Sequence, residues 1–267
     1  MEEITLKKFI SLVSSYGSAV HFEFCSDAAE WESNFFLYAD RGCAISVIEY
    51  DYNGQHNIRI AIHQTSPDSD VFSVTEDWMN QRSEFEKIYE NPSTSIFVFV
   101  VTNGEIPEKW DRYMVYKNFS RQGKAYPADE RVRLLTANDI GDVKALCEPS
   151  IQDDTAFGKR LARSFHEGFE HYIVRQDVHA YGIYENGELC GIAICDYSLT
   201  LGILNLGNIF ISKQHRNRGL GKALVRNALS EYPDVKWAYQ SDKNNDASIA
   251  LAESLGFTLE GASLYVN

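Results

Sequence analysis

Ile209-Phe210-Ile211-Ser212-Lys213-Gln214-His215-Arg216-Asn217-Arg218-Gly219-Leu220-Gly221-Lys222-Ala223-Leu224 is the stretch whose reading decides the fold. Its first three residues close an apolar, β-branched and aromatic run, which predicts a strand. A short polar loop with two glycines follows. From about Arg218, the spacing of Leu220, Leu224 and Ala228 predicts a helix. A strand feeding a glycine loop that opens a helix gathers backbone N–H groups on one point. The helix dipole adds a partial positive charge there. Gly219 and Gly221 let the backbone approach a ligand without a Cβ in the way. The expected guest is a phosphate or pyrophosphate.

The dinucleotide fingerprint G-x-G-x-x-G is absent, because no third glycine follows Gly219 and Gly221 at the required place. The triphosphate loop G-x-x-x-x-G-K-[ST] is absent too, since Ala223 follows Gly221-Lys222. What remains is R-x-x-G-x-G, formed by Arg216, Gly219 and Gly221 directly after an apolar strand. It resembles the pyrophosphate-binding loop of the GNAT superfamily of N-acetyltransferases. An ordinary strand–turn–helix junction would share the loop, so its surroundings decide.

Residues 129–267 supply them. Residues 132–135 predict a strand, Thr136-Ala137-Asn138-Asp139 a helix cap for residues 140–146, and residues 154–169 a longer helix. A hairpin over residues 180–184 and 190–197 turns at Asn186-Gly187. Residues 203–211 form the strand before the loop. Beyond its helix come a strand at 235–239, a helix at 247–255 and a last strand at 257–266. This order, β-α-α-β-β-β-α-β-α-β, matches the GNAT fold. The segment from Asn244 to Phe257 also resembles that family's N-x-x-[AS]-x-x-L-x-x-x-G-F motif. The fold expected here is an α/β (α+β) GNAT acyl-CoA-binding fold with a mixed, mostly antiparallel sheet.

A smaller α+β domain is expected to precede it, over residues 1–128, with the boundary in residues 123–130. Its predicted elements are helices at 4–16 and 74–89, strands at 44–50 and 58–62 around an Asn53-Gly54 turn, and a strand at 95–102. It carries no glycine loop, so it does not read as a second copy of the same fold. A lid over the acceptor site or a dimerisation surface are the roles open to it. Under the lid reading, a chain lacking residues 1–128 keeps coenzyme A binding and changes acceptor preference.

The net charge of -13 argues against nucleic acid or an anionic membrane surface as partner. No apolar run approaches the roughly 20 residues of a membrane span, and the Met1-Glu2-Glu3 opening lacks the basic start of a signal peptide. Five scattered cysteines without C-x-x-C spacing point to reduced, buried thiols. His56 and His63 have no carboxylate at ligand spacing, and no metal is expected. These features suit a cytoplasmic protein, either monomer or homodimer.

The resemblance implies acetyl-CoA as cosubstrate and an amine as acceptor. It places Ile209, Phe210 and Ile211 along the pantetheine arm, and Arg216, Asn217, Arg218, Gly219, Leu220, Gly221 and Lys222 around the pyrophosphate. Asn245 lies beside pantetheine in the same comparison. Acyl transfer from a thioester to an amine also needs a route for the amine's proton and an acid for the leaving thiolate. The family often carries a tyrosine seven residues after the motif asparagine, where this chain has Ala252. Ser248 and Tyr265 are the replacement candidates for that acid, with water as the alternative. The strand before the loop offers only Asn205 and Asn208, so Asp196 on the neighbouring strand is the candidate base. A base is dispensable if the amine arrives neutral. Two functions follow: an N-acetyltransferase acting on a small or protein amine, or a module that binds acyl-CoA without turnover.

Overall fold

The β-branched and aromatic runs of both halves become strands of one twelve-stranded sheet in the computed structural model, which describes residues 1–15, 35–52, 55–88, 95–110, 112–198 and 202–266. The first half contributes β1 (Glu2–Glu3), α1 (Leu6–Ser15), β2 (Phe35–Asp40), β3 (Cys43–Tyr52), β4 (Gln55–Gln64), α2 (Val71–Ile88), β5 (Ser95–Thr102) and β6 (Met114–Gln122). The second contributes β7 (Val132–Leu134), α3 (Ile140–Gln152), α4 (Ala156–Ile173), β8 (Val178–Glu185), β9 (Glu188–Ser198) and β10 (Ile203–Ile211). It continues with α5 (Leu220–Glu231), β11 (Lys236–Asp242), α6 (Asp246–Ser254) and β12 (Thr258–Val266). The Asn53-Gly54 turn lies outside the described residues, although Tyr52 and Gln55 on either side of it are paired.

The strand order is β1-β2-β3-β4-β5-β12-β6-β11-β10-β9-β8-β7. Each half lays its strands from the edge inward in chain order, and then the two last strands change places. β12, from the second half, lies between β5 and β6; β6, from the first, lies between β12 and β11. Each half also has one parallel pair bridged by a helix: β4 and β5 around α2, and β10 and β11 around α5.

This corrects the expectation that the first half is not a second copy. In strand order and pairing the halves match, although α6 has no α-helical counterpart among the described residues between β5 and β6. What differs is chemistry, because Thr65-Ser66-Pro67-Asp68-Ser69-Asp70 stands where the second half has its glycine loop. Without glycines and with two carboxylates, that connection lacks the sequence signature, and it has none of the positive-φ residues found at Asn217 and Gly219.

The cores follow the exchange. The cluster under α2, with Val74, Trp78 and Ile60, includes Leu264 and Val266 of β12. The cluster under α5, with Leu224, Val225 and Trp237, includes Phe119 of β6. A third cluster packs α3 and α4 through Val143, Leu161 and Phe165 on Ile192, Ile194 and Phe210 on the opposite face of the sheet. His63 is buried with its ring edge-on to Phe9 at 5.6 Å; the His56 side chain lies outside the described part. Among the described residues no helix is long and apolar enough to cross a membrane.

Candidate active site

β10 and β11 pair from Ile203–Lys236 to Leu206–Tyr239 and then part. β10 runs on to Ile211, still bonded to β9 on its other side, with a register shift between Leu206 and Ile209. Gly207 and Asn208 together oppose the single residue Ile194, and this one extra residue bends the strand away from β11, as a β-bulge does. One backbone edge of residues 209–211 therefore faces a cleft of about 860 Å³ rather than a strand. The matching pair in the first half does not open: β4 and β5 stay bonded from Asn57–Ser95 to His63–Val101.

The loop sits at one end of this cleft. Asn217 and Gly219 both have positive φ, 61° and 78°. Gly219 caps α5, which starts at Leu220 rather than near Arg218 because a left-handed residue cannot continue into a right-handed helix. A Cβ on Gly219 would meet no atom within 4 Å, so the space in front of it is open. At Gly221 a Cβ would make ordinary contact with Ile211 and Leu251, at 3.7 and 3.8 Å.

The arginine of the motif does something else. Arg216 donates from Nε to the Ile211 carbonyl at 3.0 Å and from Nη1 to Asp154 at 2.9 Å, with Nη2 on the same carboxylate. Its guanidinium staples the loop to the segment that starts α4. Arg218 pairs with Glu185 at 2.7 Å, and neither Arg218 nor Lys222 lines the cleft. Asn245 does, and it caps α6 by accepting from the Ser248 N–H at 3.2 Å.

Asp196 lines the cleft beside the bulge: a Cβ on Gly207 would stand 3.4 Å from its Oδ2. Burial pushes its carboxyl up to about 6, while the Arg175 guanidinium at 3.8 Å holds it down in part. It is thus ionised near neutrality and still basic enough to accept a proton. Ser248 lines the cleft as well, sharing a hydrogen bond with the Tyr239 hydroxyl. Tyr265 is not a lining residue. It sits on β12 opposite Phe99 and Met114, its ring 5.6 Å from that of Tyr116.

Residues 149–257 match the model of the Acetyltransferase (GNAT) family. The second half holds a GNAT acetyltransferase domain. No curated protein matches the sequence. Among solved structures, a GCN5-related N-acetyltransferase from Sphaerobacter thermophilus is 12% identical over 99% of this chain and 93% of its own, with a TM-score of 0.53. A second, from Kribbella flavida, is 10% identical over 88% of this chain and 89% of its own, with a TM-score of 0.52. An acetyltransferase of the GNAT family from Colwellia psychrerythraea is 12% identical over 100% and 99%, with a TM-score of 0.50. These are likenesses of fold, and they extend through the first half.

The GNAT domain takes one lining residue of its cleft, Tyr116, from the other half. Tyr116 on β6 stands opposite Asp242 and lines the cleft, its hydroxyl donating to Met114 Sδ at 2.7 Å and Arg160 of α4 lining the cleft beside it. Arg160 also lies over the Phe157 ring at 5.4 Å. Sequence reasoning missed Tyr116 because no local pattern ties a residue of the first half to a motif more than a hundred positions later. It missed Tyr239 because an aromatic in an apolar strand reads as core, which it also is.

Among the described residues, Glu185, Cys190 and His215 bring potential metal ligands within 4.8 Å of one another. The Glu185 carboxylate, however, is held by Arg218 at 2.7 Å and Arg131 at 3.2 Å, and His215 Nδ1 bonds Ser212 Oγ at 2.6 Å.

Proposed function

We propose that this chain is an acetyl-CoA-dependent N-acetyltransferase that acts on a primary amine by direct attack. The parting of β10 and β11 beside Asp196 carries the reading. It combines an open strand edge, a glycine loop at one end, and a buried carboxylate that titrates near neutrality. The free edge of residues 209–211 would bond the pantetheine arm, and the N–H groups from Arg216 to Gly221 would hold the pyrophosphate. Asn245 would lie beside the arm. The bound thioester supplies an activated acyl group, and the chain supplies position and proton transfer.

Asp196 would take the proton that the amine loses on attack. The first half, through Tyr116, would shape the acceptor side of the cleft. A non-catalytic acyl-CoA-binding module is the second reading, favoured by the buried Ala252 where the family often has its acid.

Thermal unfolding with acetyl-CoA, coenzyme A, ATP and NAD side by side, followed by thiol release across an amine panel, tests both. Ligand at about 100 times its dissociation constant stabilises a fold by about 2.7 kcal/mol, enough to raise the midpoint visibly. Shifts with both coenzyme A forms alone, and thiol release with an amine, are the expected results. Shifts without release would favour the binding module. No shift would overturn both readings.

A further inference from the structure

Ala252 is buried in the core beneath α5 and α6, so that position of α6 offers the departing thiolate no proton. The cleft offers another donor. Tyr239 is the last residue of β11 to pair with β10, and its side chain stands where the two strands part. It projects from the α5 and α6 face, between the Phe119 and Phe257 rings at 6.4 and 6.0 Å. Its hydroxyl shares a hydrogen bond with Ser248 Oγ in the first turn of α6. Asp196 enters the same cleft from the opposite face, alternating in phase with Ile192 and Ile194 under α4. Two proton-transfer groups thus flank the parting point, one from each side of the sheet.

We propose that Tyr239 is the catalytic acid of the acyl transfer and that Ser248 returns its proton, an inference that rests on the acetyltransferase reading above. The amine nitrogen bonds to the acyl carbon as the carbon–sulfur bond breaks. The nitrogen's proton passes to Asp196 and the Tyr239 hydroxyl proton to the sulfur, giving an amide and a free thiol. Water restores the Tyr239 proton through the half-buried Ser248, and Asp196 releases its own to solvent, so the cycle balances. Burial raises the phenol above its ordinary value, with the Ser248 bond opposing, so it is protonated at neutral pH. The same dry surroundings raise the basicity of the departing thiolate, which narrows the gap between donor and acceptor.

Tyr239→Phe removes one oxygen and leaves the ring packing. Acetyl-CoA affinity, by calorimetry, should stay within about threefold, while kcat for thiol release with the best amine of the panel should fall roughly 10²-fold. Ser248→Ala should give a smaller fall in kcat with the same affinity. A Tyr239→Phe enzyme that turns over within about threefold of wild type would overturn the assignment and leave the acetyltransferase reading standing. A wild-type protein that binds acetyl-CoA and acetylates no amine would overturn both, since no thiolate would then depart. If Tyr239→Phe does not fold, fluorotyrosine at 239 keeps the shape with a more acidic hydroxyl and should change kcat measurably. An unchanged kcat would sink the proposal.

Discussion

Arg216 and Asp154 form a two-pronged ion pair whose carboxylate side chain is 1% exposed, locking the glycine loop to the start of α4. The motif arginine is a clamp, and on the proposed reading ligand capture would fall to the loop backbone. Asp154→Ala should cost about 2 kcal/mol in urea unfolding, because it strands a partly buried guanidinium. Hydrogen bonding to Arg216 holds the Asp154 carboxyl below its ordinary value. The pair's contribution is therefore complete above pH ~4 and is lost as pH falls through the lower folded value. The stability gap between wild type and Asp154→Ala should shrink over that acid range.

Asp196 behaves in the opposite sense. Its folded pKa of about 6 lies above the unfolded value, so the group stabilises the fold fully at acid pH and that benefit disappears as pH rises through about 6. Activity should climb over the same interval, as the base becomes ionised. Asp196→Asn should lower kcat/KM roughly 10²-fold and, at pH 8, stabilise the protein by about 2 kcal/mol. Loss of activity without a stability gain at pH 8 would mean that the carboxylate is not strained by burial.

Gly219 and Gly221 should respond differently to the same added methyl. Gly219→Ala forces a side chain into left-handed backbone, at about 1 kcal/mol, and places it in the open space before the loop. Both stability and acetyl-CoA affinity should fall, and Gly219→Val should weaken binding by about 2 kcal/mol or more. Gly221→Ala meets only ordinary contacts at 3.7 and 3.8 Å and should leave the unliganded fold intact. Calorimetry alongside thermal unfolding separates the two effects.

Removing residues 1–128 should abolish cooperative unfolding rather than retune acceptor choice. β12 would lose both of its neighbours, β5 and β6, and β11 would lose β6. A sharp thermal transition in residues 129–267 alone would show that β12 can find another partner.

The second half was largely legible because its glycine loop is written in local residues: an apolar strand, two glycines, and a helix with a clear stripe. β10 matched its expected span, 203–211. The strand that completes the site was not legible. Met114–Gln122 is a central strand, yet it buries Asn118 and Ser120. Asn118 is accommodated by donating to Ser263 at 2.8 Å and accepting from Gln240 at 3.1 Å. Burial satisfied by hydrogen bonds to distant strands leaves no hydropathy signal. Arg216 shows the other limit: its place in the motif was readable, but its partner Asp154, 62 positions earlier, was not.

The exchange of β6 and β12 also constrains the order in which the protein can be made. Residues 258–266 follow the whole first half in the chain, yet the first half needs them to cover β5 and finish the core under α2. The first half must therefore wait, with an unpaired strand edge, until β12 has been made. Its acidic composition, -13 over the whole chain, gives that waiting intermediate charge repulsion against its neighbours on the polysome.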